Sequence, residues 1–234
     1  MTAQRPNLFQ RLVGAFTGLF APEPTLSTSD DTDAKLARLL DDYNRKVDAL
    51  VRGVENGTVT VGQFVGSMPS LIKQHHLAAA VVAGGGAESA TPQTYALAQR
   101  QVDDQLRYFE AWKATLLQQA VNGDLPTPAY LANRAKLYGK AVHATAQQAQ
   151  TGARGVPPLP FYPAQGTRCK ANCRCAWDIK VLDVVNGNYD CYYTRSADES
   201  CPTCIARERA ANPLKVRRGV IVDAEKYQEA RLYA

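Results

Sequence analysis

Cysteine is missing from more than four fifths of this chain. All six cysteines of the 234 residues lie between Thr167 and Arg209. That confinement argues against a disulfide framework, which spreads its bridges across the domain it staples. Long apolar runs are missing too: no stretch of about 18 apolar residues occurs, so no membrane-spanning helix is expected. No A-x-A-like cleavage site follows the short apolar stretch Leu12 to Ala21, where Pro22, Glu23 and Pro24 come next. No cleaved signal peptide is therefore expected. There is no G-x-G-x-x-G after a strand, no Walker loop and no G-x-S-x-G, so the usual frames of dinucleotide, nucleotide and serine-hydrolase chemistry are lacking.

Histidine is scarce, with three in the chain. His75 and His76 are adjacent, so they point to different faces of a helix, and neither has an H-x3-H partner. They are expected to be exposed or at a boundary, as is His143. Nothing in the spacing sets up a Cys–His nucleophilic pair. Charge of one sign is also lacking. The net charge of +5 permits an acidic partner or nucleic acid without arguing for one.

What is present is ordinary for a soluble globular protein: 45% hydrophobic and 21% charged residues. The length suits one large domain, or one domain and a small one. Near the start, Leu8, Phe9, Leu12, Val13, Phe16, Leu19 and Phe20 form an apolar stripe at helical spacing. A polar linker, Pro22 to Asp31, separates this stripe from the body. Residues 1–31 therefore read as an amphipathic docking arm and linker, suited to a partner surface.

Residues 32–151 read as a helical domain of four or five amphipathic helices. The first starts near Asp31–Asp33, with acids in its first turn, and ends at Asn56-Gly57. Thr60-x-x-Gln63 is a capping box for the second. Pro69 is expected to kink or split that helix, and Gly84-Gly85-Gly86 to stop it. Thr91-Pro92 and Thr127-Pro128 each place a cap before a proline at the first helical position. Asn122-Gly123 closes the helix between them. Residues 152–166 carry Gly152, Gly155, Pro157, Pro158, Pro160, Pro163 and Gly166. They read as a stiff Pro/Gly linker and as the main boundary.

Residues 167–234 hold the chemistry. Cys169-x3-Cys173-x-Cys175 leads into a strand from Trp177, and Asn186-Gly187 signals a hairpin turn. A two-residue turn there sets Val185 against Asn188, Cys175 against Asp198 and Cys191 against Leu182. Cys201-Pro202-Thr203-Cys204 then opens a helix over Ile205 to Ala211. Gly219 to Val222 is a short strand candidate, and Asp223 starts a last helix. The order knuckle, hairpin, helix with a C-P-x-C first turn is that of a treble-clef zinc site. Zn2+ takes four thiolate or imidazole ligands in a tetrahedron. Two close pairs brought together by a hairpin supply that, and a helix N-terminus favours thiolates at Cys201 and Cys204.

Cys201 and Cys204 belong to any such site, completed by two of Cys169, Cys173 and Cys175. The register favours Cys173 and Cys175, with Cys169 as the alternative ligand. Cys191 falls in mid-strand and reads as a buried small hydrophobe, or as the partner of Cys169 in a separate disulfide. A four-cysteine site is closed, so the metal reads as structural. Arg168, Lys170, Arg174, Arg207, Arg209, Lys215, Arg217 and Arg218 could contact phosphates, but interspersed acids dilute the field.

These residues resemble the head-morphogenesis group of tailed-bacteriophage minor head proteins. The likeness is carried by Leu159-Pro160-Phe161-Tyr162-Pro163, Gly166-Thr167, Cys169, Asn172-Cys173-Arg174-Cys175, Trp177 and Cys201-Pro202-Thr203-Cys204-Ile205-Ala206-Arg207. Gly57-Thr58, Met68, His75-His76, Gly84 to Gly86 and Tyr108 to Trp112 stand in the order that this group shows upstream. The resemblance spans roughly residues 36 to 209. Members often carry a histidine or second acid before the last C-x2-C, where this chain has Asp198-Glu199-Ser200. The resemblance implies a virion or assembly protein associated with portal or capsid, without enzyme activity.

The expected fold is α+β, mainly α: a helical bundle followed by a small zinc-bound β-hairpin/helix module. The expected function is that of a structural component of a bacteriophage virion, present in multiple copies and assembled in the host cytoplasm. It contacts portal or capsid proteins, through residues 8–20 among others, and engages no membrane. The competing expectation is a zinc-dependent nucleic-acid-binding protein.

Overall fold

The computed structural model describes residues 29–162, 175–183, 185–195 and 201–232. The arm at residues 8–20, Cys169 and Cys173 lie outside the described residues. The described residues are mainly helical with one small antiparallel sheet. No described helix is long and apolar enough to cross a membrane.

Among the described residues five helices come first: α1 (Ser29–Glu55), α2 (Val61–Ala83), α3 (Pro92–Asn122), α4 (Pro128–Lys140) and α5 (Val142–Ala153). Their starts follow local chemistry. The Thr60 hydroxyl accepts from the Gln63 N–H at 3.1 Å, and the Gln63 side chain accepts from the Thr60 N–H at 2.8 Å. Thr91 and Thr127 cap α3 and α4 ahead of Pro92 and Pro128. Gly123 ends α3 with φ +77°, a left-handed conformation that glycine takes without strain.

Pro69 does not split α2, which runs unbroken from Val61 to Ala83. A proline there forfeits the hydrogen bond to the Val65 carbonyl. Buried residues on both sides, among them Phe64, Met68, Ile72 and His76, hold the two halves on one axis. α2 is the central helix and packs against α1, α3 and α5.

The bundle has two cores of different character. The larger is aromatic: Phe64 meets Trp112 edge-on at 6.1 Å, and Phe109 meets Trp112 and Tyr138 at 5.9 and 5.8 Å. Such edge-to-face pairs add about 0.5–1.5 kcal/mol each beyond area burial. Here α1 lies close on α4, because a Cβ at Gly139 would sit 2.5 Å from the Tyr43 ring. Tyr43 donates to the Ala135 carbonyl at 3.0 Å. The smaller core is alanine-rich, with Ala80, Ala83, Ala98, Ala146 and Ala149 letting α2, α3 and α5 approach closely.

The second part holds β1 (Ala176–Asp183), β2 (Asn188–Thr194), α6 (Pro202–Ala211), β3 (Leu214–Arg217), β4 (Val220–Ile221) and α7 (Ala224–Arg231). The strands run antiparallel in the order β1-β2-β3-β4. Val156, Leu159, Phe161 and Tyr162, from the stretch read as a stiff spacer, are buried in this sheet's core beside Trp177, Tyr193 and Leu214. The prolines thus stiffen a packed segment that laces α5 to the sheet. Tyr189 donates to the Arg154 carbonyl at 2.6 Å, and the Gln147 side chain accepts from the Trp177 N–H at 3.2 Å.

The hairpin register differs from the two-residue turn expected. Asp183 pairs with Asn188, Ile179 with Cys191 and Ala176 with Thr194. The Asp183 carboxylate explains the wider loop, since it accepts from both the main-chain and side-chain N–H groups of Asn186, at 3.1 and 2.6 Å. The β3–β4 connection is the tight one. Arg217 pairs with Val220 across Arg218 and Gly219, both at positive φ (52° and 72°), the two-residue geometry that matches strand twist. The two turns interlock: Gly219 N–H donates to Gly187 O at 3.0 Å, and a Cβ at Gly187 would lie 2.9 Å from Gly219 N.

Candidate metal centre

Cys201 and Cys204 sit where the sequence pattern places them. Cys201 is the N-cap of α6 with extended backbone, Pro202 fills the first helical position, and Cys204 lies in the first turn. Cap and third helical position point the same way, so the two sulfurs meet at 3.4 Å. Sulfur ligands about 2.3 Å from a tetrahedral zinc lie about 3.8 Å from one another, and this pair, in S–H···S hydrogen-bond contact, is somewhat closer than such an edge. Cys204 is fully buried and Cys201 half-buried. The Cys201 side chain makes no cap hydrogen bond, and both sulfurs stand at the N-terminal end of α6, where the helix dipole favours negative charge.

The surroundings of the pair are built from the residues that flank it in sequence. Tyr193, fully buried on β2, donates its hydroxyl to the Cys204 sulfur at 3.7 Å. Its ring meets Phe161 at 4.9 Å and Trp177 at 5.3 Å. Trp177 in turn donates to the Phe161 carbonyl at 2.8 Å. Arg207 on α6 is fully buried, with its guanidinium 4.5 Å over the Phe161 ring and a nitrogen donating to Tyr162 O at 3.3 Å. Arg207 therefore ties the Leu159–Tyr162 stretch to the helix that carries the cysteine pair.

Cys175 is buried at the entrance to β1, and its carbonyl lies 3.3 Å from His143 Nε2. The next residue, Ala176, pairs with Thr194 at the end of the β1–β2 ladder, and Cys175 is not gathered with Cys201 and Cys204 into a three-ligand group. Cys173 and the alternative ligand Cys169 fall outside the described residues. Among the described residues, no group of three or more His, Cys, Asp or Glu side chains is gathered to hold a metal.

Cys191 is a free, fully buried thiol, which removes the separate disulfide to Cys169. It stands opposite Ile179 rather than Leu182. Burial, with the neighbouring Asp190 carboxylate adding to it, pushes its pKa up to about 12. At neutral pH it is a neutral space-filler in the sheet core.

His75 and His76 are buried, contrary to the expectation of an exposed or boundary pair. Both rings find partners in the α4–α5 corner. His75 Nε2 lies 3.3 Å from Gly139 O, with its ring 4.7 Å from that of Tyr43. His76 lies 3.2 Å from Tyr138 O through Nε2 and 2.7 Å from the Thr145 hydroxyl through Nδ1. A carbonyl only accepts, so Nε2 of neutral His76 carries the proton and Nδ1 accepts from Thr145. Burial drives their pKa values down, to about 4 for His75 and about 3 for His76. They are neutral packing groups.

The basic residues separate into two kinds. Arg207 is interior, and Arg217 is held by Asp190 at 2.8 Å and by the Tyr189 carbonyl at 2.9 Å. Arg195 is paired with Glu208. Arg209, Lys215 and Arg218 are exposed. In the bundle, a groove of about 430 Å³ lies between α1 and α2, lined by Lys46, Leu50, Ser67, Ser70, Leu71 and Gln74 among others. It has no carboxylate, histidine or cysteine in its lining.

Comparison of the chain with protein-family models, with curated proteins and with solved structures finds no match.

Proposed function

We propose that the chain is a structural protein of a bacteriophage virion, a minor head or portal-vertex component, whose sheet module is pinned by one structural zinc. The observation that carries the metal half is the Cys201–Cys204 pair, with sulfurs 3.4 Å apart at the start of α6. The virion half rests on the resemblance carried by Leu159 to Tyr162, Asn172 to Cys175 and Cys201 to Arg207.

Cys173, Cys175, Cys201 and Cys204 would hold the metal, with Cys169 as the alternative to one of the first two. Bound zinc supplies a cross-link between strand entrance and helix start, with no redox chemistry of its own. The chain's own contribution is packing. Arg207, Phe161 and Trp177 hold the segment entering the module against α6. The reading assigns no catalysis. Buried neutral His75 and His76 and the protonated Cys191 have the environment of packing groups, and a fully thiolate-ligated zinc has no open position.

The test is metal content by mass spectrometry on the purified full chain, together with its sedimentation alongside assembled heads. One zinc per chain and cosedimentation are expected. A metal-free native protein would remove the zinc half, and absence from particles the virion half.

Exposed Arg209, Lys215 and Arg218 keep nucleic-acid binding as the competing reading. Charge reversal at Arg209 and Arg218 decides it. A salt-dependent DNA affinity lost in that variant would favour it, since such affinity comes from phosphate contacts. No binding at low salt eliminates it.

A further inference from the structure

We propose that Asn186-Gly187 is a self-processing site, where the Gly187 nitrogen closes on the Asn186 side chain, ammonia leaves, and the Asp183 carboxylate restrains the reaction. The chain has three Asn-Gly pairs, at 56–57, 122–123 and 186–187. Glycine has no side chain to hinder its own amide nitrogen. In each pair that nitrogen can reach the carboxamide carbon of the preceding asparagine and close a cyclic imide. The structure separates the three pairs.

All three asparagines are exposed, so access of water does not distinguish them. Their hydrogen bonds do. Gly57 N–H donates to Val54 O at 3.3 Å, and the Asn56 side-chain oxygen accepts from the Thr58 N–H at 3.1 Å and the Thr58 hydroxyl at 2.7 Å. Gly123 N–H donates to Ala120 O at 3.3 Å, and the Asn122 side-chain oxygen accepts from Gln118 at 3.1 Å. In both pairs nucleophile and carboxamide are tied to a helix end, and each bond broken before attack slows it roughly 2- to 10-fold. Gly187 differs: among the described residues its N–H makes no hydrogen bond. The Asn186 carboxamide is held by its Nδ2, which donates to Asp183 Oδ2 at 2.6 Å. That bond draws the side chain back toward β1, away from the nitrogen that must reach it. It also holds the Asp183 carboxyl below its usual range, so the acceptor is charged at neutral pH.

The reaction needs only water. A bond forms between Gly187 N and Asn186 Cγ, the Cγ–Nδ2 bond breaks, and the proton of the Gly187 amide departs with ammonia. Water then opens the imide at either carbonyl, giving aspartate or isoaspartate. The new carboxylate stands where Nδ2 donated to Asp183, so like-charge repulsion replaces a hydrogen bond. In isoaspartate the main chain also lengthens by a carbon just before Gly187. No slack exists there: Gly219 N–H donates to Gly187 O at 3.0 Å, and a Cβ at Gly187 would stand 2.9 Å from Gly219 N. The modification therefore unlatches the β1–β2 turn from the β3–β4 turn, and it does so irreversibly.

The experiment is incubation of the full-length protein in mildly alkaline heavy-oxygen water, followed by peptide mass spectrometry at all three pairs. Labelled acid should accumulate at Asn186 about tenfold faster than at Asn56 or Asn122, with isoaspartate among the products. In Asp183→Ala the Asn186 rate should rise further while the other two stay unchanged. Equal rates at the three pairs of the unsubstituted protein overturn the inference. A rise in Asp183→Ala at all three pairs, or at none, overturns the restraint assigned to Asp183.

Discussion

The helical body and the cysteine module solve the same problem by different means. The body, α1 to α5, buries an aromatic core and a smaller alanine-rich one along long helices. Each of α2 to α4 announces its start within four residues of sequence. The module has short strands, a ten-residue helix and a core partly borrowed from the segment that enters it. Its pairings are non-local, as with Cys191 on Leu214 and Arg207 on Phe161. Long helices repay their ordering entropy turn by turn. A small sheet does not, and needs a staple. The comparison teaches where the proposed metal would act: in the part whose elements are short and whose pairings are non-local.

The largest expected effect breaks that comparison directly. Each half holds one of the chain's two tryptophans, Trp112 in the bundle and Trp177 in the module. Trp177→Phe and Trp112→Phe backgrounds therefore report the halves separately by fluorescence. Cys204→Ser should abolish the Trp177 transition, or lower it by several kcal/mol, because structural zinc contributes on the order of 10 kcal/mol to such modules. The Trp112 transition should move little. A Cys204→Ser protein whose module unfolds at the original temperature would sink the staple. The same background assigns the open ligands: of Cys169→Ser and Cys173→Ser, the variant that loses metal identifies the position used.

Acid acts on the other half. His75 and His76 are held neutral in the bundle, with pKa values lowered to about 4 and about 3. In the unfolded chain both titrate near 6.5. As pH falls below 6.5 the unfolded state takes up protons that the folded state refuses, so stability is lost progressively down to about pH 4. Asp42 adds to the loss further down. The side-chain hydrogen bond from Lys46 lowers its pKa, a stabilisation that disappears on protonation. Chemical denaturation followed by Trp112 should show several kcal/mol lost between pH 7 and pH 4. Replacing both histidines with glutamine should flatten that slope. A pH-independent Trp112 transition would contradict the burial of the pair.

How far the sequence reveals each half follows from the same contrast. The caps at Thr60, Thr91 and Thr127 and the stop at Gly123 are local, and the structure has all four. The burial of His75 and His76 is not local. Their partners Gly139, Tyr138 and Thr145 lie more than 60 residues away. Pro69 reads as a break because sequence shows the lost hydrogen bond but not the packing on both sides of it. In the module, Cys201 and Cys204 were legible as a pair because a cap and the third helical position are fixed by one helix start. Cys191 was legible as a space-filler, but from a register three residues out, because the Asp183 carboxylate widens the turn. The four-residue strand β3 was missed, since its pairing comes from Tyr189 to Cys191, more than 20 residues earlier. Tyr193 and Arg207 were missed as supports of the pair. The only sequence signal for Tyr193 is its alternation with Tyr189 and Cys191 on one strand face.

A smaller effect tests the close packing of the bundle. Gly139→Ala places a methyl 2.5 Å from the Tyr43 ring, while improving helix propensity by up to about 1 kcal/mol. The clash should win, because Tyr43 is pinned by its hydrogen bond to Ala135 and cannot swing away. Overpacking of this kind costs about 1–3 kcal/mol. The Trp112 transition should fall by that amount, and the Trp177 transition should not. A stabilised Gly139→Ala protein would mean that α1 can slide on α4.

The smallest effect compares one local device from each half. Thr60→Ala removes the hydroxyl that accepts from Gln63 N–H and leaves the reciprocal bond from Thr60 N–H to the Gln63 side chain in place. Loss of such a cap costs about 1 kcal/mol, and the Trp112 transition should shift accordingly. Asp183→Ala removes the carboxylate that closes the β1–β2 turn through Asn186, an exposed bond that holds the Asp183 pKa below its usual value. With metal bound, the module should tolerate this change, because the interlocked Gly187 and Gly219 backbones and the Arg218 N–H to the Asn188 side chain hold the turn from the other side. After chelation, Asp183→Ala should lower the residual Trp177 signal further. If it is as disruptive with metal as without, the sheet depends on its turn and not on the proposed metal staple.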